Sequence, residues 1–411
     1  MLQLAVALLW CGLVTYLLLR AARQHREFPA LQASHAAGDC SQRVACIVPA
    51  RNEAANVSGI IRSLLRQDYT SANISFIVVD DGSTDATAVR VAREIMRARD
   101  ARLQLVRVAD LPADWAGKPH ACWTGFATTQ ARGADWLCFI DADTHPEPGL
   151  IRAALGFAAK DGGDMFSFCP RQKLRTLWER AFFPVGFMML AFVQDMRRTA
   201  DRDSSQAAAN GQCMLIRRTA YEACGGHAAV AREICEDSAL ATRMKEHGYR
   251  VVLANGEALI RTRMYDGLRT LVEGLGKNIV EALGGLSSTC AAIGLALTLT
   301  LGIAGVPDWI AASVSGAIAP VAICIAALAS LALFITYARA AIYFESPPWY
   351  AFLFPLGYGI GIGIALFGLY SRARGSIAWK GRTLYSHPPL RARLKSISRV
   401  ASKMRATGER R

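Results

Sequence analysis

The chain has 411 residues, 52% of them apolar, and carries a formal net charge of +14 at pH 7. The length allows one large domain or two small ones, and positive mean hydropathy combined with that charge argues against an ordinary soluble enzyme. The basic excess does not point to nucleic acid, because no recognised nucleic-acid-binding module accompanies it, and the eleven cysteines match no zinc or redox spacing, so they read as small reduced hydrophobes.

Residues 1–20 are apolar up to Arg20. The run of about 19 residues is close to the minimum for crossing a bilayer. Positive charge follows it (Arg20, Arg23, Arg26) instead of preceding it, so it reads as an uncleaved membrane helix and not as a signal peptide. The same arginines place residue 21 onward in the cytoplasm.

Residues 40–280 have a normal globular composition. RVACIVPA (43–50) reads as a strand, and RNE (51–53) as the opening of a helix with Val57, Ile60, Ile61, Leu64 and Leu65 at helical spacing. ISFIVVD (74–80) is apolar almost throughout, as suits a strand covered on both faces of a parallel sheet. It stops at Asp80-Asp81-Gly82-Ser83-Thr84-Asp85. Gly82 permits a tight turn there, and Ser83, Thr84 or Asp85 caps a helix running to about Arg97. A strand over 103–108, a helix over about 119–131 and the strand WLCFI (136–140) follow, the last stopping at Asp141-Ala142-Asp143.

Strands alternating with helices predict a doubly wound α/β sheet, which binds ligands beyond the carboxyl ends of its strands. Asp80/Asp81 and Asp141/Asp143 sit at two such ends. Either motif alone is more often a turn; together they point to one crevice. Like carboxylates repel and raise one another's pKa, so the group needs a cation or hydrogen-bond donors. Asp-x-Asp suits Mg²⁺ or Mn²⁺, which takes phosphate oxygens as further ligands. An acid at the end of the second strand can instead hold ribose hydroxyls or a base edge. The chemistry indicated is a nucleoside diphosphate with a divalent metal. Neither a Gly-x-x-x-x-Gly-Lys loop nor a Gly-x-Gly-x-x-Gly follows the first strand, which argues against an ATPase and a dinucleotide-dependent oxidoreductase.

Further along, Ala209-Asn210-Gly211-Gln212 precedes a strand over 213–218. Glu236-Asp237 opens a helix, either as a capping device or as a catalytic base that the helix end keeps ionised by lowering its pKa. Residues 181–194 are too short to span a membrane and too apolar for a surface loop. They read as a buried core helix or as an interfacial one. Lys277 precedes a block from Leu286 to Tyr370 with candidate spans at about 286–305, 311–336 and 348–370. The tail, 371–411, carries twelve Lys/Arg and one Glu and reads as an anchor for anionic headgroups. Three spans would put this tail opposite the globular domain, against the positive-inside tendency. One candidate is therefore expected to be interfacial, re-entrant or split, giving two to four spans over 286–370.

The series Val48-Pro49-x-Arg51-Asn52-Glu53, Asp80-Asp81-Gly82-Ser83, Gly117-Lys118, Asp141-Ala142-Asp143 and Glu236-Asp237 resembles the family 2 glycosyltransferases of the GT-A fold, over about residues 43–280. Leu111-Pro112-x-x-Trp115-x-Gly117-Lys118, Trp178-Glu179-Arg180, Ala209-Asn210-Gly211-Gln212 and Thr262-Arg263-Met264-Tyr265 are similar to membrane-bound lipid members, among them carotenoid (chlorobactene and diaponeurosporenoate) glucosyltransferases and hopene-associated enzymes. The resemblance implies a GT-A mixed sheet with an N-terminal membrane helix and a multi-span C-terminal block, in a bacterial-type inner membrane. It implies that Pro49, Arg51 and Glu53 line a nucleotide pocket, that Asp81 with Asp80 holds the base, and that Lys118 approaches the nucleotide. It further implies that Asp141 faces the ribose or sugar hydroxyls, that Asp143 binds Mg²⁺ or Mn²⁺ at the diphosphate, and that Asp237 deprotonates the acceptor.

The expected reaction is inverting transfer from a nucleotide sugar, such as UDP-glucose, to a hydroxyl of a membrane lipid: an isoprenoid, glycerolipid or sphingolipid. Many relatives carry Gln/Arg-x-x-Arg-Trp before the C-terminal spans. Here the region reads EGLGKN, so Lys277 stands in for the arginine as counter-charge and the tryptophan is missing. That departure disfavours a processive polysaccharide synthase. The intact Asp81, Asp143 and Asp237 disfavour a non-catalytic scaffold. His145 and Glu147 have no assigned role.

Overall fold

The structure is a computed structural model describing residues 2–36, 41–108, 110–305, 320–375, 377–379 and 382–384. Most of the basic tail and the start of the expected 311–336 span lie outside these residues.

The strands are β1 (Val44–Ala50), β2 (Ile74–Asp80), β3 (Leu103–Arg107), β4 (Trp136–Ile140), β5 (Thr144–Pro146), β6 (Met165–Cys169), β7 (Arg171–Gln172), β8 (Cys213–Arg217), β9 (Val251–Asn255), β10 (Ile260–Thr262), β11 (Ile377–Trp379) and β12 (Arg382–Leu384). The helices are α1 (Leu2–Glu27), α2 (Val57–Leu65), α3 (Thr87–Ala98), α4 (Gly117–Phe126), α5 (Thr129–Arg132), α6 (Leu150–Asp161), α7 (Leu177–Val193), α8 (Arg218–Ala223), α9 (Glu236–Glu246), α10 (Leu268–Gly276), α11 (Ile279–Ala282), α12 (Leu286–Ala304), α13 (Pro320–Tyr343) and α14 (Phe354–Arg374).

Seven strands form one sheet in the order β3-β2-β1-β4-β8-β6-β9. All pairings are parallel except those of β8, which runs antiparallel to β4 and β6. The sheet is therefore mixed, as expected. Its registers carry the function. Ala50 pairs with Asp80, so β1 and β2 stop together and Arg51 and Asp81 leave from one edge. Cys213 pairs with Ile140, so the reversed β8 begins where β4 stops and brings Gln212 to Asp141. Apolar residues on both faces bury the sheet: Cys46, Val48, Phe76 and Val78 toward one helical layer, Ile47, Ile77 and Val79 toward the other.

Several local expectations shift. Residues 51–56 are not helical: Asn52 sits at φ 52°, in the left-handed region that a helix cannot accommodate. Its backbone N–H donates to Ser83 Oγ (3.0 Å) and its side chain accepts from Thr84 N (2.8 Å), so two loops are stitched together and α2 starts only at Val57. None of the three capping candidates occupies the N-cap of α3, which is Ala86 and makes no side-chain cap bond; Asp85, one residue earlier, accepts from Thr87 N at 2.9 Å. The helix expected over 119–131 is two, α4 and α5, with Thr128 capping the second.

Outside the α/β layers, α1, α7, α12, α13 and α14 pack through Val14, Leu17, Met189, Phe192, Leu299 and Leu333. Four helical stretches are long and apolar enough to cross a membrane: Gln3–Glu27, Leu286–Ala304, Pro320–Tyr343 and Pro348–Arg374. The helix α1 extends past Arg20 because its polar end has work there. Gln24 donates to the terminal carbonyls of α7, Ala191 O (2.6 Å) and Gln194 O (2.9 Å), which lack helical partners.

The apolar stretch 181–194 is part of α7, which starts earlier because Thr176 and Glu179 form a reciprocal capping box. It packs against α14 and not under the sheet. Gly357 lets the two helices meet, since a Cβ there would collide with the backbone carbonyl of Ala181. Replacing Gly357 with Val should cost about 1–3 kcal/mol through forced separation. It would register as a lowered melting temperature of the full chain in detergent; an unchanged melt would mean the helices part freely.

Candidate functional site

A cavity of about 240 Å³ opens at the carboxyl edge of β1, β2 and β4. Pro49, Arg51, Glu53, Asp81, Lys118, Asp141, Asp143, Asp237 and Lys277 all line it. Of the sequence-derived candidates only Asp80 does not. Its carboxylate, 1% exposed, turns under the loop to accept from Ser83 N at 3.2 Å and lies 3.8 Å from Arg107. Asp80 therefore shapes the turn that presents Asp81 to the cavity.

At one end, Arg51 Nη1 donates to the carbonyls of Asp81 (2.7 Å) and Gly82 (2.8 Å), fixing the loop. Glu53 is set by its backbone N–H on Thr87 Oγ1 (2.8 Å) and accepts from Asn56 Nδ2 (2.7 Å). Asp81 is 3% exposed. Burial raises its pKa, against the pull of Arg382 and Arg51. Arg382 was not anticipated from sequence. It lies on β12, past the last apolar helix, and its guanidinium bonds Asp81 Oδ2 directly and Asp81 O at 3.1 Å. Its only local signal is one more arginine in a basic tail.

At the centre, Lys118 bridges two acid groups. Its Nζ is 2.7 Å from Asp141 Oδ1 and 3.0 Å from Glu236 Oε1. Burial pushes the ammonium's pKa down, but Asp141, Glu236 and Asp237 together outweigh it and hold Lys118 protonated. Asp141 is thus engaged by a cation, where the resemblance implies a hydroxyl partner. Its backbone N–H is held by Gln212 O at 3.1 Å.

Asp237, at the start of α9, accepts from Gly211 N and Ser238 N, each at 2.7 Å. The Asn-Gly-Gln segment is built for this. Asn210 and Gln212 bond each other through side chain and backbone, at 3.1 and 3.0 Å. A Cβ on Gly211 would stand 2.9 Å from Lys118 Nζ and 3.1 Å from Asp237 Oδ2. The expectation that a helix end depresses the Asp237 pKa is overturned: burial, then the neighbouring Glu236 charge, raises it to about 6 against the pull of Lys118 and the two backbone donors. Low dielectric and a like charge outweigh the helix terminus here.

Lys277, just past α10, also lines the cavity, and burial lowers its pKa. His145 and Glu147 are accounted for elsewhere. The His145 ring packs against Gly59 of α2, and Glu147 pairs with Arg261 at 3.5 Å.

The residues present fit a divalent cation brought in with a diphosphate. Mg²⁺ and Mn²⁺ favour oxygen ligands, and Mg²⁺ is commonly held by one or two carboxylates plus substrate phosphates and waters. Asp143 offers a carboxylate on the cavity wall, its main chain pinned by Thr262 Oγ1 donating to Asp143 O at 3.2 Å. No cluster of three or more His, Cys, Asp or Glu suited to a fully protein-made metal cage occurs among the described residues.

The Lys118 bridge yields a stability prediction. Lys118→Met leaves Asp141, Glu236 and Asp237 without their shared cation. Because Lys118 is 33% exposed, the cost should be about 1–3 kcal/mol, less than for a fully buried pair. Asp237, whose pKa is already raised to about 6, would then bind its proton still more tightly in the folded than in the unfolded chain. The deficit should be largest at neutral pH and shrink as pH falls through 6. Melting curves of the full chain from pH 5 to 8 measure this; a deficit that grows on acidification would contradict the bridge.

Comparison with known proteins fits this geometry. The chain is 27% identical over 255 residues to a 4,4'-diaponeurosporenoate glycosyltransferase of Staphylococcus haemolyticus (strain JCSC1435), covering 61% of this chain and 64% of that one. It is 28% identical over 242 residues to the enzyme of the same name from Staphylococcus aureus (strain MRSA252), covering 58% and 61%. The match thus spans somewhat under two thirds of the length of these curated relatives. A mannosyltransferase from Pyrobaculum calidifontis, in complex with GDP-Man and Mn²⁺, superposes with a TM-score of 0.52 at 20% identity, over 90% of this chain and 99% of that one, which establishes a shared GT-A fold. Residues 42–272, more than half of the sequence, match the model for the glycosyltransferase like family 2, and the chain belongs to that family.

Proposed function

We propose that the chain is a membrane-bound glycosyltransferase that moves a sugar, with inversion, from a nucleoside-diphosphate sugar such as UDP-glucose to a hydroxyl of a membrane lipid of the isoprenoid class. One observation carries this reading. Asp237, with its raised proton affinity, faces the same cavity as Asp81, Lys118 and Asp143, and a second cavity of about 330 Å³ adjoins it. The two share Glu233, Ile234, Cys235 and Lys277, and the second reaches Gly276 of α10, Val280 of α11 and Gly368 of the apolar α14. A donor site at the sheet edge and a route toward the helical bundle thus meet two to four residues before Asp237 in the chain. The relatives' printed names, which specify a carotenoid acid, support an acceptor of this class.

In this reading the nucleotide lies along the sheet edge, with its base at Asp81 and its diphosphate toward Lys118, Lys277 and Asp143. Asp143 would hold Mg²⁺ or Mn²⁺, which supplies positive charge opposite the departing diphosphate. Asp237 takes the proton of the acceptor hydroxyl as its oxygen attacks the anomeric carbon. The bond from that carbon to the diphosphate oxygen breaks in the same displacement, so the configuration inverts and no covalent enzyme intermediate forms. Lys118 keeps Asp237, Glu236 and Asp141 tolerable together and presents a cation to the leaving group.

The contact between Arg382 and Asp81 bears on orientation. In this reading the chain after α14 shares a side with the catalytic domain, which requires an even number of crossings between α11 and β11; three apolar stretches lie there among the described residues, so the crossings are not simply these three. A shared side accords with the positive-inside tendency for the basic tail.

Two outcomes are expected. Membranes incubated with labelled UDP-glucose should yield label in the lipid extract. The rate should fall about tenfold per pH unit below 6 as Asp237 becomes protonated, and Asp237→Asn should lower turnover by about 10²–10⁴. Label found only in insoluble polymer, or full turnover by Asp237→Asn, would sink the assignment. For topology, cysteines replacing exposed Ser71 and Arg374, in a chain with Cys11, Cys290 and Cys324 changed to Ser, should react with an impermeant maleimide from the same side of sealed vesicles. Labelling from opposite sides would separate Arg382 from Asp81.

A further inference from the structure

We infer that Arg382, together with Asp81, reads the pairing edge of the donor's nucleobase and selects bases that present a ring N–H beside a carbonyl. This rests on the nucleotide-sugar reading above and extends it to a residue outside the matched family region.

Three observations converge. First, Asp81 is buried and lines the cavity, and its two oxygens are treated differently. Oδ2 is bonded to Arg382, whereas Oδ1 is buried with no hydrogen-bond partner among the described residues. A buried carboxylate oxygen without a donor is costly, and a ligand N–H satisfies it. Second, Arg382 also lines the cavity and, among the described residues, makes two hydrogen bonds, to Oδ2 and to Asp81 O. A guanidinium has five N–H donors in a fixed fork, so donors remain for a neighbouring carbonyl. Third, the surrounding backbone is cut to fit this pair. A Cβ at Gly117 would lie 2.6 Å from Asp81 Oδ2 and 2.7 Å from Arg382 Nη1, so any side chain at the start of α4 would displace this carboxylate–guanidinium contact.

The pair therefore offers one acceptor beside several donors. Uracil (N3–H beside C4=O) and guanine (N1–H beside C6=O) complement it. Cytosine and adenine present a bare ring nitrogen beside an amino group, which sets acceptor against acceptor and donor against donor. Sites whose buried polar groups are left unpaired reject the wrong ligand strongly. Arg51 is set apart from this pair: its Nη1 donates to the carbonyls of Asp81 and Gly82 and not to the Asp81 carboxylate.

The test is nucleotide binding, not turnover, by titration calorimetry on the full chain in detergent with Mn²⁺. UDP and CDP form one matched pair, GDP and ADP another. Wild type should favour the N–H–carbonyl member of at least one pair by about tenfold or more. Arg382→Ala should weaken that member by about tenfold while leaving CDP or ADP within about twofold, so that discrimination collapses. Arg382→Lys, which keeps the charge but loses the fork, should recover only part of it and serves as the folded control should the alanine variant not fold. Equal weakening of all four nucleotides, or no change, would overturn the inference. Wild type binding no nucleotide would overturn the donor reading beneath it.

Discussion

The site depends on a charge constraint. Seven carboxylates, Glu53, Asp81, Asp141, Asp143, Glu233, Glu236 and Asp237, line one small cavity, and two of them, Asp81 and Glu236, are nearly inaccessible to solvent. Such a group is stable only if cations and donors are built in at the same time. Lys118 answers Asp141 and Glu236, Arg382 answers Asp81, and the backbone of Gly211 and Ser238 answers Asp237. Much of the surrounding structure follows: Gly117 and Gly211 lack side chains because Arg382 and Lys118 must pass close to them.

The same constraint sets the chemistry. Asp237 is buried with the like charge of Glu236 beside it, and these outweigh the pull of Lys118 and of its two backbone donors, so its pKa is raised to about 6. Sheet topology delivers the parts. Parallel β1, β2 and β4 stop at the edge where the reversed β8 starts, and this one reversal carries Asn210, Gly211 and Gln212 to the acids. The apolar bundle is held against this edge through α10 and α11, where a second cavity shares Glu233, Ile234, Cys235 and Lys277 with the first.

Much of this was legible in the sequence where the signal is local. The apolar runs of β1, β2 and β4, the acids that end them, and the four apolar helices follow from residue type and period. The Asp80-Asp81 pair marks the limit. Adjacent residues at a strand end point opposite ways, and only the turn that follows decides which enters the cavity; Ser83 N claims Asp80. Helix 51–56 failed for a similar reason, since the left-handed Asn52 is held by hydrogen bonds to a loop some thirty residues away, which periodicity does not register.

By itself, then, the sequence determined the strand-and-helix alternation, the apolar helices, and the residues whose acidity and spacing mark a nucleotide-diphosphate site, because all of these are properties of short segments. Tertiary structure decided how those residues are ionised, which cation holds which acid, and that the segment after the last apolar helix returns to the catalytic edge. Arg382 meets Asp81 across 301 positions of chain. Burial and Coulomb interaction depend on what is near in space, and no local pattern encodes a neighbour that distant.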